Sequence, residues 1–129
     1  MKKSVREWLQ FAKKDLLVAE YLLENRSDVS FAVAFHSQQA VEKALKAYLI
    51  HFNKRIQKTH DLSALLYEVN VLSAGLYKNL EKIIILSEYA VSYRYPDVSR
   101  KKLTKNQAKQ ALKIAKNALS LINKGIRNA

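Results

Sequence analysis

Cysteine is absent from this sequence. That removes disulfides and every thiolate metal site, and it fits a reducing compartment. Proline occurs once and glycine twice, too few turn formers for a many-stranded β fold, which needs a turn every ~8–12 residues. The three histidines are His36, His51 and His60. None pair four residues apart on one helix, and no His-Glu-x-x-His pattern occurs, so neither a metal site nor a cofactor is expected. The strongest apolar run, Ile83-Ile84-Ile85-Leu86, falls far short of the ~20 residues of a membrane span. Lys13, Lys14 and Asp15 interrupt any apolar stretch behind Lys2, Lys3 and Arg6, so no signal peptide is expected, and a cytoplasmic location is. Acidic residues are also scarce, 11 against 23 Lys and Arg, giving a formal net charge of +12 and a pI near 9.9. Such an excess favours a polyanion (RNA, DNA or nucleotides) or an acidic protein partner. The plain alternative is a solubilising surface.

What is present is a chain of 129 residues, 49% apolar. It is long enough to bury a core as one domain spanning residues 1–129, and too apolar for disorder. Apolar residues recur at helical spacing in five places. Residues 4–25 carry Val5, Trp8, Leu9, Ala12, Leu16, Ala19 and Leu23 on one face, with Ser4 and Glu7 at capping-box spacing. Residues 29–53 follow, with Asp28 as candidate N-cap and a stripe of Phe31, Phe35, Val41, Leu45, Tyr48 and Leu49. Ala32, Ala40, Ala44 and Ala47 lie on other faces and would let a neighbour approach closely, so this helix reads as central. A short helix over 61–69 is capped by Thr59 or Asp61. Ser73-Ala74-Gly75 breaks the pattern, and a fourth helix runs over 76–94 until Pro96 stops it. The last covers 105–126, capped by Thr104, with Lys105, Lys109, Lys113, Lys116 and Lys124 opposite its buried seam. Short connections make the fold all-α: an up-and-down antiparallel four-helix bundle with one extra short helix.

Candidate functional residues are those that break these patterns. Gln38 points into the stripe of the second helix and Glu42 falls beside it, with Gln39 adjacent. Buried amides and carboxylates need partners, so this set lines a polar cleft or clamps the helix to a neighbour through Asp15 or a tyrosine hydroxyl. His36 and Lys43 share another face. His36 is a candidate general base, with a packing role as the alternative. Tyr93-Arg94-Tyr95-Pro96 places a guanidinium between two aromatic rings, suited to phosphate and base stacking, and Arg100, Lys101 and Lys102 follow closely. A helix C-cap is the alternative there. Thr59-His60-Asp61-Leu62 reads most simply as an N-cap.

The segment Phe35-His36-Ser37-Gln38-Gln39-Ala40-Val41-Glu42-Lys43-Ala44-Leu45-Lys46-Ala47-Tyr48-Leu49 closely resembles the second-helix signature of the HEPN domain family. Ala12-x-x-Asp15-Leu16-x-x-Ala19, Thr59-His60-Asp61-Leu62 and Tyr93-Arg94-Tyr95-Pro96 extend that resemblance over about residues 5–125. It implies an up-and-down helical bundle, a homodimer, and a small nucleotidyltransferase as partner in a toxin–antitoxin-type module. Many members are metal-independent ribonucleases with an arginine followed four to six residues later by histidine. Here Arg94 matches the arginine, but Asp97 to Lys102 contains no histidine.

Three functions follow. The first is a module binding nucleotide or RNA phosphates through Arg94, Tyr95, Lys43, Arg100, Lys101 and Lys102 beside a nucleotidyltransferase. The second is a toxin-like ribonuclease using Arg94 or His36. The third is a non-catalytic helical adaptor. A homodimer is expected in each, through the alanine face of the second helix and the tyrosine-rich end of the fourth.

Overall fold

The computed structural model describes residues 1–26, 28–92 and 102–128. Among them all regular structure is helical: α1 (Lys3–Asn25), α2 (Ser30–His51), α3 (Leu62–Leu72), α4 (Ala74–Leu80), a 3₁₀ turn (Glu81–Ile83), α5 (Ile84–Ser92) and α6 (Lys105–Arg127). α4, the turn and α5 follow one another without a gap where a single fourth helix is expected. The turn interrupts that helix after Leu80, which is buried together with Ile83.

α2 is the centre. From Ala40 to Leu49 every residue except Lys43 is buried, so three faces of this helix are covered. α1 and α6 cover it most extensively, with α5 and α3 on its remaining sides. α1 lies antiparallel to α2: Lys2 reaches Ile50 and Asn53, Trp8 meets Lys46, and Asp15 meets His36 and Lys43. Glu20 pairs with Lys116 while Arg6 and Gln10 share a cleft with Asn123 and Arg127, and Tyr89 pairs with Gln110 while Asn79 and Lys82 lie by Asn117, which sets α6 antiparallel to α1 and to the run of α4 and α5. α2 and α6 therefore run the same way, and both face each other with alanine. Ala40, Ala44, Ala47, Ala111, Ala115 and Ala118 are all 0–1% exposed. Small side chains permit the close backbone approach that this diagonal contact needs. The same burial removes the alanine face of α2 as a contact between copies of the chain.

Local signals fix most ends. Thr104 and Gln107 form a reciprocal capping box at α6. Asp61 accepts from the Ser63 amide at α3, and Ser73 from the Leu76 amide at α4. Ser73 thus starts α4 at Ala74, two residues earlier than the break at Ser73–Gly75 suggests. Asn53 takes a left-handed φ of 62°; the amides of Asn53 and Lys54 bond back to Ile50 and Leu49 at 2.9 Å each. That is a Schellman end with asparagine in the position glycine usually takes.

Two expected caps are replaced. α1 begins ahead of Ser4 because Lys2 is already tethered to the carbonyl of Ile50 and the amide oxygen of Asn53. Val29, not Asp28, precedes α2, because both Asp28 oxygens are taken by Arg26 at 2.9 and 3.0 Å. The hydrogen bond from Arg26 holds the Asp28 carboxyl below its ordinary range, and Asp28 in turn raises the Arg26 guanidinium.

Candidate functional site

Glu42 and the residues around it form a polar band along α2. Its side chain is 3% exposed, yet both oxygens are used: Oε2 accepts from Lys46 Nζ at 3.1 Å and Oε1 from His60 Nδ1 at 2.9 Å. Lys46 is itself buried and lies over the Trp8 ring, 5.5 Å from its centroid. Gln38 donates to the main-chain oxygen of His60 at 3.2 Å, and Gln39 donates to Gln38 at 3.0 Å. Gln38 and Glu42 therefore clamp α2 to the segment entering α3. No partnership with Asp15 is involved.

Asp15 serves a second cluster, about a third of a turn around α2. It is 9% exposed on the inner face of α1. Oδ1 accepts from His36 Nδ1 at 2.9 Å and Oδ2 from Lys43 Nζ at 2.6 Å. Lys43 also stands 5.8 Å from the centroid of the Phe11 ring. The two clusters repeat one design: a carboxylate between a lysine and an imidazole Nδ1, which fixes the proton on that nitrogen. They differ in access. The His36 side chain is 29% exposed, that of His60 84%.

Charge is arranged differently on the outside. From Val98 to Ala129 there is no Asp or Glu, while nine of the 23 Lys and Arg residues lie there. On α6, Lys105, Lys109 and Lys113 recur every fourth residue and are exposed, ~6 Å apart along the axis. Like charges at this spacing repel within a helix. Lys116, beside them, is neutralised by Glu20 at 2.8 Å. A groove of about 650 Å³ runs between α6 and the α4–α5 rod. Glu81, Lys82, Lys113, Gln110 and Asn117 line its polar side, Ile85 and Ile114 its apolar floor.

The sequence candidates separate accordingly. Gln38, Gln39 and Glu42 come together in one cluster, His36 and Lys43 in the other. Lys43 is spent in its ion pair with Asp15, and only 25% of its side chain is exposed. Lys102 is exposed just ahead of α6. Arg94, Tyr95, Arg100 and Lys101 lie outside the described residues, as do Tyr93 and Pro96. The residue that sequence reasoning undervalued is His60. Its signal was present, an isolated histidine just before a helix and a carboxylate on the buried face of α2, but only the fold joins the two. No group of three or more potential metal-ligating His, Asp or Glu residues occurs among the described residues, and no described helix is long and apolar enough to cross a membrane.

Comparison with known proteins gives this geometry a family. A protein of Methanocaldococcus jannaschii named "Putative toxin MJ1304" is 34% identical over 134 aligned residues, 93% of this chain and 86% of that protein. The crystal structure of TT1696 from Thermus thermophilus superposes with a TM-score of 0.80 at 26% identity, over 96% of this chain and 99% of that one. The structure of ST0689, described as an archaeal HEPN homologue, gives a TM-score of 0.73 at 26% identity, over 98% and 99%. The HEPN domain family model matches residues 5–125. With the helical bundle, the α2 signature and this match in agreement, the chain belongs to the HEPN domain family.

Proposed function

We propose that this HEPN chain is a toxin-type, single-domain module that binds the phosphates of RNA or nucleotides and works with a small nucleotidyltransferase partner. The observation that carries the reading is the acid-free stretch from Val98 onward with its open lysine row on α6. Internal pairing sharpens it. Asp15 and Glu42 are turned inward and matched by Lys43 and Lys46, while Lys105, Lys109 and Lys113 are exposed on a helix without an acidic residue. A row of unneutralised lysines is a cost to the helix that a phosphate backbone offsets.

The adjoining groove offers lysines for phosphate, two carboxamides for a base edge and an isoleucine floor, with Glu81 as its one acid. In sequence, Arg94, Arg100, Lys101 and Lys102 add four basic residues ahead of α6, with Tyr95 next to Arg94. The toxin name of the Methanocaldococcus relative and the resemblance to partner-dependent family members support the partner. A homodimer belongs to the same reading, and Phe11, Leu17, Val18 and Tyr21, 40–64% exposed along α1, offer an apolar stripe for it. Light scattering at micromolar concentration measures that state.

The test of binding uses labelled single-stranded RNA on native gels at about 50 and 200 mM salt. Retarded RNA at low salt that is released at high salt is the expected result, weakened by Arg94→Ala. RNA that migrates freely at both salt concentrations overturns the reading and favours the adaptor.

A further inference from the structure

The start of α1 and the end of α6 enclose a cleft of about 210 Å³, at the opposite end of α6 from the lysine row. Arg6, Leu9, Gln10 and Lys13 line it from α1, Asn123 and Arg127 from α6, with Met1 beside them. On α1 the polar positions recur at three- and four-residue spacing, and on α6 the two are four apart, so each helix presents one edge to the other. No lining residue is acidic. Three cations therefore share the two sides of one helix seam, with two carboxamides among them.

Neither internal pairing nor helix capping accounts for this set. Further along the same seam α1 is pinned to α6 by opposite charges, Glu20 and Lys116 at 2.8 Å. In the cleft, Lys13 and Arg127 meet no carboxylate or hydrogen-bond acceptor among the described residues. Arg6 gives one N–H to the main-chain oxygen of Met1 at 2.8 Å, of the five that a guanidinium carries. Glu7, its neighbour in sequence, is turned to Lys3 at 3.9 Å. Arg127, in the last turn of α6, does complement the negative end of that helix. The same argument runs against Arg6, which stands near the positive end of α1, a helix with no acid in its first turn. Like charges gathered across a seam repel, and an anion between them reverses the sign of every one of these contacts.

We propose that this cleft is a phosphate site, in which Arg6 and Arg127 hold the oxygens of one phosphate group from two helices, Lys13 adds charge, and Gln10 and Asn123 donate through their side-chain amides. A guanidinium matches phosphate oxygens with paired N–H donors. The volume decides how much of a ligand enters. Pockets that enclose a whole organic ligand begin at ~300 Å³, so this one takes the phosphate group and leaves an attached nucleoside outside. The ligand class is thus a phosphate monoester or free phosphate. Bound there, the anion ties the first helix of the bundle to the last. The site is separate from the α6 lysine row, since Arg127 lies ~21 Å along the axis from Lys113, and it does not rest on the RNA reading.

The test follows the amide spectrum of the isotope-labelled full chain by NMR while sodium phosphate replaces sodium chloride at constant ionic strength. Saturable shifts of the Gln10 and Asn123 side-chain amides are expected, with a Kd on the order of 1 mM or tighter. Arg6→Gln and Arg127→Gln change exposed side chains, so both fold. Each is expected to weaken binding at least ~10-fold, the loss of a hydrogen bond between charged groups. Lys14→Gln is the control: it removes the charge next to Lys13, but Lys14 lies outside the cleft, over the Phe11 ring at 5.3 Å from its centroid. Its affinity is expected to stay within about two-fold of wild type, since exposed charges off the site are screened. Uridine monophosphate and uridine separate the sources. A monophosphate that moves the same amides and binds more tightly than phosphate identifies a nucleotide end, and one that binds equally or more weakly identifies free phosphate; both support the site. Uridine that moves these amides as strongly as its monophosphate overturns it. So does phosphate that moves neither amide, or that binds both arginine variants as tightly as wild type. Protein that fails this titration and still retards RNA at low salt loses the cleft and keeps the α6 reading.

Discussion

Asp15 on α1 and Lys43 on α2 meet at 2.6 Å, with His36 on the other carboxylate oxygen at 2.9 Å. The Asp15 side chain is 12% exposed, so water does little to replace it when it is removed. Asp15→Ala leaves an ammonium and an imidazole facing an apolar helix surface. The expected loss is about 3 kcal/mol of unfolding free energy, the scale for deleting one partner of a buried pair. Urea denaturation measures it. Asp15→Ala combined with Lys43→Met is expected to recover part of that loss, since the stranded charge goes with its partner.

The Glu42–Lys46 pair gives a sharper version of the same experiment because both side chains are covered, 3% and 8% exposed. Lys46→Met alone leaves a buried carboxylate with only His60 to satisfy it. About 3 kcal/mol is again the expected cost. Glu42→Leu with Lys46→Met replaces the pair by apolar volume and is expected to return to within about 1 kcal/mol of wild type. If the double variant is as unstable as the single one, the pair is needed for packing and not for holding His60.

Helix positions were legible in the sequence because apolar spacing alone dictates them. Expected ranges of 4–25, 29–53 and 105–126 correspond to Lys3–Asn25, Ser30–His51 and Lys105–Arg127. Caps at Thr104 and Asp61 were legible for the same local reason. Those at Ser4 and Asp28 failed because distant or neighbouring groups, Asn53 for Lys2 and Arg26 for Asp28, compete with the helix end. Phe31 illustrates the limit of a stripe: it shares the apolar stripe of α2 but sits in its first turn, 47% exposed. The candidate site was half legible. Spacing shows that Gln38, Glu42, His36 and Lys43 break a buried pattern. It does not show that α1 brings Asp15 to one pair and the α3 entry brings His60 to the other, because those partners lie 18 to 28 residues away in sequence.

Gly125 in α6 lies against the Tyr48 ring. A β-carbon there would stand 3.1 Å from Tyr48 Cε2 and 3.5 Å from Leu76 Cδ2. Tyr48 is 3% exposed and backed by Phe52, 4.8 Å between centroids, so the ring has little room to retreat. Gly125→Val is expected to destabilise the fold by about 1–3 kcal/mol through overpacking. Gly125→Ala gains up to about 1 kcal/mol of helix propensity and loses it to the same contact. Thermal unfolding of the two variants orders them, alanine close to wild type and valine below both.

Tyr48 also sets an alkaline limit. Burial pushes its phenol above the ordinary tyrosine value of 10.0. The folded chain then holds the phenol proton more tightly than the unfolded chain does. This contribution is complete below pH ~10 and is lost as pH rises through the folded-state value. The urea midpoint is therefore expected to fall as pH rises above ~10, and to fall less in Tyr48→Phe, which has no proton to lose. Equal slopes in the two proteins would assign the alkaline loss to the lysines instead.

The lysine row of α6 makes a prediction that separates a binding surface from a solubilising one. Each phosphate neutralised on a single strand adds ~0.7 to the slope of log affinity against log salt. Lys109 and Lys113 are exposed, one helical turn apart, and neither has a carboxylate near it on α6, which contains no acid. Replacing both by glutamine keeps the helix and the polar surface while removing two charges. If both touch RNA, the slope should flatten by about 1.4 and affinity should fall by a similar factor for every RNA sequence tried. Lys3→Gln, on an exposed lysine of α1 already beside Glu7 at 3.9 Å, should leave the slope as it is. A Lys109→Gln, Lys113→Gln protein with wild-type slope would mean that the row only repels other copies of the chain, and that the anion is met elsewhere on the molecule.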